Sequence, residues 1–422
     1  MKSFNILVTL FVLLLVQSPT LARALNNHAL WTKAIGDQLY LEECYSVRKA
    51  NDGGYILAGR RSLDTSGAKS NVFLVKTDAS GNVQWSKEID PYPTFNSHSR
   101  VLSVVQADDG GYVAAGWVET ENYGDEGYLV KINSTGTLQW HYIYGNVNIG
   151  SGNDDDWFQT IAKTSDGGYI LGGWTAAQAS HGYTDAWLVR VTGAGEIVWQ
   201  TVHGLEGSEE AQEVIQTTDG GYLFVGNTTS ETGFGIDDEA VFIVKTNASG
   251  VPQWFKTFDW STYGGEMGES VRQTGDGGYL VGGWYEAGSD PGIPFLIKLN
   301  SGGNTQWSQT YNLGSGSEKF SSVALADDGY LAVGRTNSAG SGSYDALVVK
   351  TDAAGNQEWS ETYGGSDYDA AYSVDRTGNS GYIVGGKAVG LQWPAGTDMY
   401  LIYIGAALDY RIYLPLVVRQ QS

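Results

Sequence analysis

Three tryptophans and three cations recur at one position of a sequence repeat, five residues after a glycine–tyrosine pair. Indole faces stack on sugar rings or aromatic ligands, and cations bind anionic groups. The position therefore predicts a ligand platform. The alternative is packing of long side chains between repeats. The residues at this position, called here the mouth ring, are Arg60, Trp117, Trp174, Asn227, Trp284, Arg335 and Lys387.

A second position of the repeat carries small hydroxyl side chains, and one carboxylate interrupts it. Small hydroxyls suit the crowded wall of a channel. Glu213 is the exception, so it becomes a candidate ligand-binding residue and the residue to test for catalysis. This set, called here the hydroxyl ring, is Ser46, Ser103, Thr160, Glu213, Ser270, Ser322 and Ser373.

Acidic residues crowd the segments between predicted strands. Paired carboxylates can perform acid/base catalysis or hold a hard cation such as Ca²⁺. No segment has the alternating Asp-x-Asp-x-Asp-Gly pattern of a calcium loop. The alternative is that these are solvated acids that keep the protein soluble. We predict no cofactor and leave Ca²⁺ open; the acids are Asp154, Asp155, Asp156, Glu209, Glu210, Asp237, Asp238, Glu239, Asp367 and Asp369.

Motifs for nucleophilic or metal catalysis are absent from the sequence. There is no Gly-x-Ser-x-Gly, no His-Glu-x-x-His and no glycine-rich phosphate loop, and the five histidines show no ligand spacing. Cys44 is the only cysteine, so an intrachain disulfide is impossible. These absences favour a binding protein over an enzyme.

Composition excludes further classes. The 422 residues carry a net charge of −22, which disfavours binding to nucleic-acid phosphates. Aromatic residues reach 12%, and so many large side chains require burial, which argues against disorder.

The chain is one repeat of about 50 residues, present seven times. Asp-Gly and Gly-Gly pairs supply the positive φ that tight hairpins need, so the Asp-Gly-Gly-Tyr motif predicts a hairpin turn. The repeat tyrosines are Tyr55, Tyr112, Tyr169, Tyr222, Tyr279, Tyr330 and Tyr382.

Each copy contains four short strand patterns and no sustained helical period. Four-stranded antiparallel units repeated in this way predict an all-β, seven-bladed β-propeller. The fourth strand of six copies centres on a tryptophan, but the seventh copy ends without one. The missing strand matches the stretch from Leu30 to Lys33, which contains Trp31, so we expect the N-terminal strand to close the ring and cover the open edges.

The two ends of the propeller differ in the length of their connections. One end, called here the turn face, carries the Asp-Gly-Gly turns and the short third-to-fourth turns. The other, called the loop face, carries two sets of longer connections. One set joins the fourth strand of a blade to the first strand of the next blade, and the other joins the second strand to the third, as between Asn227 and Val241. Variable loops on a rigid frame usually hold binding sites, so we place the site on the loop face near the central channel.

The two termini depart from the repeat. Residues 1–24 have a cation at Lys2, a short apolar run and an Ala22-Arg23-Ala24 site, which predicts a secretory signal peptide. The run is too short for a membrane span. Residues 25–405 form the predicted propeller, and residues 406–422 form an apolar, then basic, tail. We expect a secreted, extracellular or cell-surface protein.

The combination of Asp-Gly-Gly-Tyr, an apolar strand, Gly81 and Trp85 resembles the repeats of secreted bacterial propeller proteins, most of which are uncharacterised. The stretch from Asp78 to Trp85 is also similar to the tryptophan-docking motif of quinoprotein dehydrogenases, although its Asp-to-Gly gap is one residue shorter. WD-repeat proteins resemble the chain in closing their rings with the N-terminal strand. The resemblance covers almost the whole chain after residue 24 and implies a fold rather than a function.

We therefore expect an exported monomeric binding module for a polysaccharide or a protein. The alternatives are a propeller enzyme, either a glycan hydrolase or lyase or a quinone-dependent oxidoreductase, and a passive surface or matrix protein.

Overall fold

The structure is a computed structural model. It describes residues 28–37, 40–62, 69–93, 97–121, 124–145, 155–176, 183–229, 239–260, 264–287, 290–378, 381–391 and 396–405. The predicted signal peptide (1–24) and the tail (406–422) lie outside the described residues.

The described chain contains 28 strands. Strand β1 (Ala29–Ile35) comes before the first complete blade. Blade 1 has β2 (Glu42–Lys49), β3 (Tyr55–Ser62), β4 (Ser70–Thr77) and β5 (Val83–Ile89). Blade 2 has β6 (Ser99–Gln106), β7 (Tyr112–Thr120), β8 (Gly124–Ile132) and β9 (Leu138–Tyr144). Blade 3 has β10 (Asp156–Lys163), β11 (Tyr169–Thr175), β12 (Asp185–Val191) and β13 (Ile197–His203).

The remaining blades follow the same plan. Blade 4 has β14 (Glu209–Gln216), β15 (Tyr222–Thr228), β16 (Ala240–Thr246) and β17 (Pro252–Phe258). Blade 5 has β18 (Glu266–Gln273), β19 (Tyr279–Ala287), β20 (Asp290–Leu299) and β21 (Thr305–Thr310). Blade 6 has β22 (Glu318–Leu325), β23 (Gly329–Thr336), β24 (Asp345–Asp352) and β25 (Gln357–Tyr363). Blade 7 has β26 (Ala370–Gly378), β27 (Gly381–Val389) and β28 (Thr397–Ile404), completed by β1.

Seven antiparallel sheets form a ring, which confirms the predicted seven-bladed β-propeller. The first strand of each blade is innermost, and these strands contact one another around the channel. The last sheet has the order β1-β28-β27-β26, so the N-terminal strand closes the ring as predicted. Trp31 lies opposite Tyr403 in the register, the place that the other blades give to their fourth-strand tryptophan.

The fourth-strand tryptophans join neighbouring blades. In the next blade, the glycine of the third-to-fourth turn has a positive φ, and a side chain there would meet the indole. A Cβ on Gly303, for example, would lie 2.9 Å from Trp254. Glycine is therefore required for this close approach. Blade 7 has no such turn, and Trp359 instead stacks on His28, with ring centroids 3.9 Å apart. These tryptophans are half-buried and pack against the hydrophobic cores, so the predicted structural role is confirmed, although they are not fully buried core residues.

The turn aspartate of each Asp-Gly-Gly motif binds the cation at the end of the third strand. Lys298 Nζ lies 2.9 Å from Asp276 Oδ2, and five other blades have the same pair. In the seventh copy the sequence has Ser380 in place of the aspartate and Tyr403 in place of the cation. Both members of the ion pair are therefore lost together.

The hydrophobic cores lie between blades rather than within them. Ile56 and Leu74 of blade 1, for example, pack with Val104 and Val130 of blade 2. The single cysteine, Cys44, is buried between blades 7 and 1, and burial raises the pKa of its thiol to about 12. Burial between blades explains why the third strands are buried along their length, whereas the fourth strands are largely exposed.

The two faces match the predicted arrangement with one correction. The Asp-Gly-Gly and third-to-fourth turns share one face. The prediction that all second-to-third connections are long was wrong for blades 2 and 5, where β7 ends at Thr120 before β8 begins at Gly124, and β19 ends at Ala287 before β20 begins at Asp290. In these blades the strands extend into a hairpin.

Candidate functional site

Every innermost strand contains an irregularity in its pairing at the same place. In β2, for example, the register shifts between Cys44 and Ser46, which leaves Tyr45 outside the ladder. A β-bulge of this kind re-aims side chains, so two successive residues can line the same surface. The bulged residues, called here the bulge ring, are Tyr45, Leu102, Gln159, Gln212, Glu269, Ser321 and Tyr372.

A cavity of about 240 Å³ occupies the centre of the propeller. Its wall consists of the bulge ring and the complete hydroxyl ring, joined by Arg48 and Arg335. The prediction that the hydroxyl ring forms the channel wall is therefore confirmed. Apart from Leu102, every lining residue carries a polar group, so the cavity suits a polar ligand.

The bulge ring and Arg48 were not among the residues predicted from the sequence. Strict alternation along a strand predicts that only every second residue faces the channel. The usable signal was variability, because the bulge position changes from tyrosine to leucine, glutamine, glutamate and serine, whereas the position after it is serine in five of the seven blades.

The hydroxyl ring links adjacent blades. Ser373 Oγ accepts the backbone N–H of Val47 at 3.2 Å, across the closing seam. Ser270 Oγ accepts the N–H of Val323 at 3.1 Å, and Ser46 Oγ accepts the N–H of Val104 in the same way. These serines therefore stabilise the ring itself.

Glu213 performs the same structural task. Its Oε2 accepts the N–H of Val271 at 2.8 Å and the hydroxyl of Ser270 at 2.7 Å, and its Oε1 accepts from Arg272 at 2.6 Å. Burial alone would raise the pKa of Glu213, but the charges of Arg272 and Arg48 outweigh burial and lower it. Glu213 is therefore an ionised residue already engaged with three donors.

Arg48 lies at the turn-face side of the cavity, two residues beyond Ser46. Its Nη1 donates to Ser373 Oγ at 3.0 Å and to the Val47 carbonyl at 2.9 Å. Burial and the like charge of Arg272 lower the pKa of Arg48, while Asp375 and Glu213 oppose the shift. The guanidinium is thus held at the cavity by neutral acceptors.

The mouth ring lies beyond the bulge ring, toward the loop face. Each of its members is the cross-strand partner of an innermost-strand residue, as in the pairs Arg60 with Glu43 and Arg335 with Lys319. Of the seven mouth-ring residues, only Arg335 lines the cavity. Trp117 and Asn227 are buried, with 8% and 4% of their surface exposed, and the others are half-buried.

The tryptophans of blades 2 and 3 form a stack. The ring centroids of Trp117 and Trp157 are 4.6 Å apart, and those of Trp157 and Trp174 are 5.4 Å apart. The Arg100 guanidinium lies 4.8 Å from the Trp117 centroid, within the range of a cation–π contact. This stack joins two blades, so here the packing interpretation describes the contacts.

At the seam between blades 7 and 1, two mouth-ring cations share one carboxylate. Arg60 Nε donates to Glu43 Oε2 at 2.7 Å, and Lys387 Nζ donates to Glu43 Oε1 at 2.8 Å. Burial would raise the pKa of Glu43, but the charges of Lys387 and Arg60 outweigh it and hold the pKa at about 2. Both cations are therefore already engaged with a carboxylate of the protein.

Around blade 5, Trp284 connects the mouth ring to the cavity wall. Its Nε1 donates to Glu269 Oε1 at 2.9 Å, and Lys319 Nζ lies 3.1 Å from the indole centroid. Burial raises the pKa of Glu269, against the hydrogen bond from Trp284 and the charges of Arg335 and Lys319. Glu269 thus holds its proton to a higher pH than an exposed glutamate.

Three of the acids predicted to be solvated are in fact fully buried: Asp156, Glu209 and Asp369. Glu209 Oε2 accepts the N–H of Leu205 at 2.9 Å, and Asp369 Oδ1 accepts that of Val389 at 3.1 Å. Glu209 and Asp369 therefore bind backbone N–H groups, and the burial of all three acids overturns the solvated interpretation for them. Asp154, Asp237 and Asp238 lie outside the described residues.

Within the described residues, no three His, Cys, Asp or Glu side chains form a group that could hold a metal ion. The Ca²⁺ expectation stays a prediction, because part of the acidic loops lies outside the description. In the same part of the chain, no helix has the length and apolar character that crossing a bilayer requires.

No protein-family model matches the chain, and no curated protein matches it. Among solved structures it is similar to the Pan2 WD40 domain of Neurospora crassa, with 10% identity, coverage of 89% of this chain and 98% of that chain, and a TM-score of 0.49. The α-L-arabinanase of Penicillium chrysogenum, complexed with arabinobiose, gives 12% identity, coverage of 71% and 91%, and a TM-score of 0.49. The PQQ-bound aldose sugar dehydrogenase of Streptomyces coelicolor gives 12% identity, coverage of 89% of this chain and 97% of that chain, and a TM-score of 0.41. These similarities concern the fold and assign no function.

Proposed function

We propose that this protein is an exported, non-catalytic binding protein that takes part of a polysaccharide or protein ligand into the central cavity from the loop face. The observation that carries the proposal is the bulge ring. Seven side chains of five residue types line one polar cavity, and they are held by a four-stranded blade that repeats seven times.

The division of labour between the two rings supports this proposal. The hydroxyl ring is largely engaged in bonds between blades, so it maintains the frame. The bulge position carries no such constraint, and its chemistry varies. Variable groups on a rigid scaffold are the usual basis of specific recognition.

Two observations weigh against catalysis by the hydroxyl ring. Glu213 is ionised and already accepts three hydrogen bonds, so it has little capacity to exchange a proton with a substrate. The serines of the ring accept backbone N–H groups, and no described histidine lines the cavity as a base.

Blocking the cavity tests the proposal. Ser321 lies in the bulge ring, and Ser321→Trp would fill the cavity, while Ser80→Trp places the same side chain on the exposed third-to-fourth turn of blade 1. The wild type and both variants would be screened on glycan arrays and in pull-downs with purified candidate proteins.

The proposal predicts a ligand that the wild type and Ser80→Trp bind and Ser321→Trp does not. Equal binding by Ser321→Trp, with both variants folded by circular dichroism, would place recognition elsewhere and overturn the proposal. Failure of the wild type to bind any ligand in the screen would count against it as well.

A glycan-cleaving enzyme is the second candidate, and one observation favours it. Two carboxylates line the same cavity, with the pKa of Glu269 raised and that of Glu213 lowered. Opposite shifts of this kind are found in acid and base pairs. Release of reducing ends that disappears in both Glu269→Gln and Glu213→Gln would support an enzyme over a binding protein.

A further inference from the structure

Arg335 is a cation of the cavity wall whose guanidinium has no hydrogen bond or ion pair with the described residues. Its one ring contact is with Tyr344, at 5.7 Å from the centroid. The two mouth-ring cations at the seam, Arg60 and Lys387, are by contrast both ion-paired with Glu43. Arg335 therefore presents a planar set of donors that fits a carboxylate in a bidentate manner.

The charges around the cavity favour an anion. Arg48 adds a second guanidinium, which donates to neutral acceptors, while the charges of Asp375 and Glu213 act on it from beyond ion-pair distance. Of the two acids in the wall, Glu213 is compensated by Arg272 at 2.6 Å. Glu269 holds its proton more firmly than an exposed glutamate because it is buried. Arg48 and Arg335 thus place two guanidinium groups at the wall of one cavity in a protein of net charge −22.

The remaining groups of the wall suit a ligand rich in hydroxyls. The side chains of Gln159 and Ser321 line the cavity and make no hydrogen bonds with other described residues. The cavity volume of about 240 Å³ is below the roughly 300–1,000 Å³ of sites for drug-sized molecules. It therefore matches a single small polar unit rather than an extended one.

We propose that the cavity binds one sugar acid residue, a uronate, with its carboxylate on Arg335 and its hydroxyls toward Gln159 and Ser321. This inference rests on the proposed binding function and names the ligand class. The loop face would accommodate the rest of a chain if the uronate ends a polysaccharide.

Titration calorimetry with monosaccharides tests the assignment. The probes are galacturonate and glucuronate, with galactose and glucose as neutral counterparts of the same shape. The acidic sugars should bind at least about tenfold more tightly, since a charge-assisted bidentate contact distinguishes them. Equal affinity for acidic and neutral sugars would overturn the assignment.

Substitution of Arg335 provides the residue-level test. Arg335→Gln should weaken uronate binding at least about tenfold. The affinity of Arg335→Lys should lie between those of Arg335→Gln and the wild type, because lysine keeps the charge but lacks the planar pair of donors. Arg376→Gln is the matched control, since it removes one positive charge on the turn face, where Arg376 pairs with Asp327. Loss of binding in Arg376→Gln equal to that in Arg335→Gln would indicate a general effect of net charge and contradict the proposal.

Oligogalacturonates separate a free sugar acid from a chain terminus. Tighter binding of the trimer than of the monomer assigns a polysaccharide, whereas equal binding assigns the free acid. If a neutral glycan or a protein binds in a way that Ser321→Trp abolishes, while no uronate binds, this inference fails and the proposed function stands. If Ser321→Trp affects no ligand, both fail.

Discussion

Glu213 Oε2 accepts the backbone N–H of Val271 at 2.8 Å, the same bond between blades that Ser373 Oγ accepts from Val47 at 3.2 Å. The carboxylate therefore replaces a serine in the frame and, in addition, neutralises Arg272. Glu213→Ser should restore the hydroxyl ring but leave Arg272 without its partner. We expect a loss of about 2–4 kcal/mol in the free energy of unfolding, measured by urea denaturation, because a half-buried charge is left uncompensated.

The second half of this test is the double variant. Arg272→Val gives blade 5 the residue that blade 2 has at the corresponding position, Val105. Glu213→Ser combined with Arg272→Val should recover most of the lost stability, since neither charge remains. A double variant as unstable as Glu213→Ser would show that the carboxylate acts in some other way.

Trp31 closes the ring by stacking on Tyr403, with ring centroids 5.5 Å apart. Trp31→Ala should lower the free energy of unfolding by about 2–4 kcal/mol, because removing a large packed ring leaves a cavity at the seam. The control is Leu30→Ala on the same strand, where the side chain is 64% exposed and the change should be small. Comparable thermal stability of Trp31→Ala and the wild type would mean that the seam does not depend on this strand.

Gly204 lies where two buried acids approach each other. A Cβ at this position would be 1.8 Å from Asp185 Oδ1 and 3.0 Å from Glu209 Oε2. Gly204→Ala should therefore destabilise the fold by about 1–3 kcal/mol through overpacking. Gly275→Ala is the matched control, because a Cβ there meets no atom within 4 Å. Differential scanning calorimetry should show a lower Tm for the first variant alone; equal Tm values would contradict this packing.

The carboxyl of Glu210 predicts a pH-dependent stability. Burial and the charges of Glu239 and Glu269 raise its pKa from 4.5 to about 7. The fold thus favours the protonated form, whose stabilising effect is complete below pH 4.5, is lost as the pH rises toward 7 and stays lost above it. Glu210→Gln should gain about 1–2 kcal/mol over the wild type at pH 8 and little at pH 4.

The exposed Glu196 provides the control for this pH effect. Glu196→Gln should leave the pH dependence of unfolding as it is in the wild type. A constant advantage of Glu210→Gln from pH 4 to pH 8 would argue against a raised pKa and for a general loss of repulsion.

The ring architecture could be predicted because its determinants are local and repeated. Each Asp-Gly-Gly turn fixes a hairpin, and each copy shows four strand patterns. The closing strand could be predicted because the seventh copy lacks a tryptophan strand and the N-terminal strand, with Trp31, supplies one. Turn chemistry and periodicity are encoded in short windows, which explains their reliability.

The cavity wall was only half predicted. The hydroxyl ring follows from the repeat, but the bulge before Ser46 and its equivalents shifts the register by one residue and brings Tyr45 or its counterpart to the channel. A bulge depends on the neighbouring strand and blade, so no short sequence pattern predicts it. For the same reason Arg335 could not be distinguished from Lys387, although only Arg335 reaches the cavity.

The acids show a second limit. Asp156 and Glu209 follow loop sequences, where charged side chains are usually exposed to solvent, yet both are fully buried. Glu209 accepts backbone N–H from its own loop, at Leu205. Glu209 also lies beside Asp185 of the preceding blade, around Gly204, and the loop sequence does not contain such a contact between blades.

The most direct measurement of the central claim is a crystal structure of the protein with the ligand that the screens identify. The proposed binding function predicts ligand density inside the central cavity, in contact with bulge-ring residues of opposite blades such as Tyr45 and Glu269. Density on the turn face or on the outer strands, with the cavity free of ligand, would contradict it.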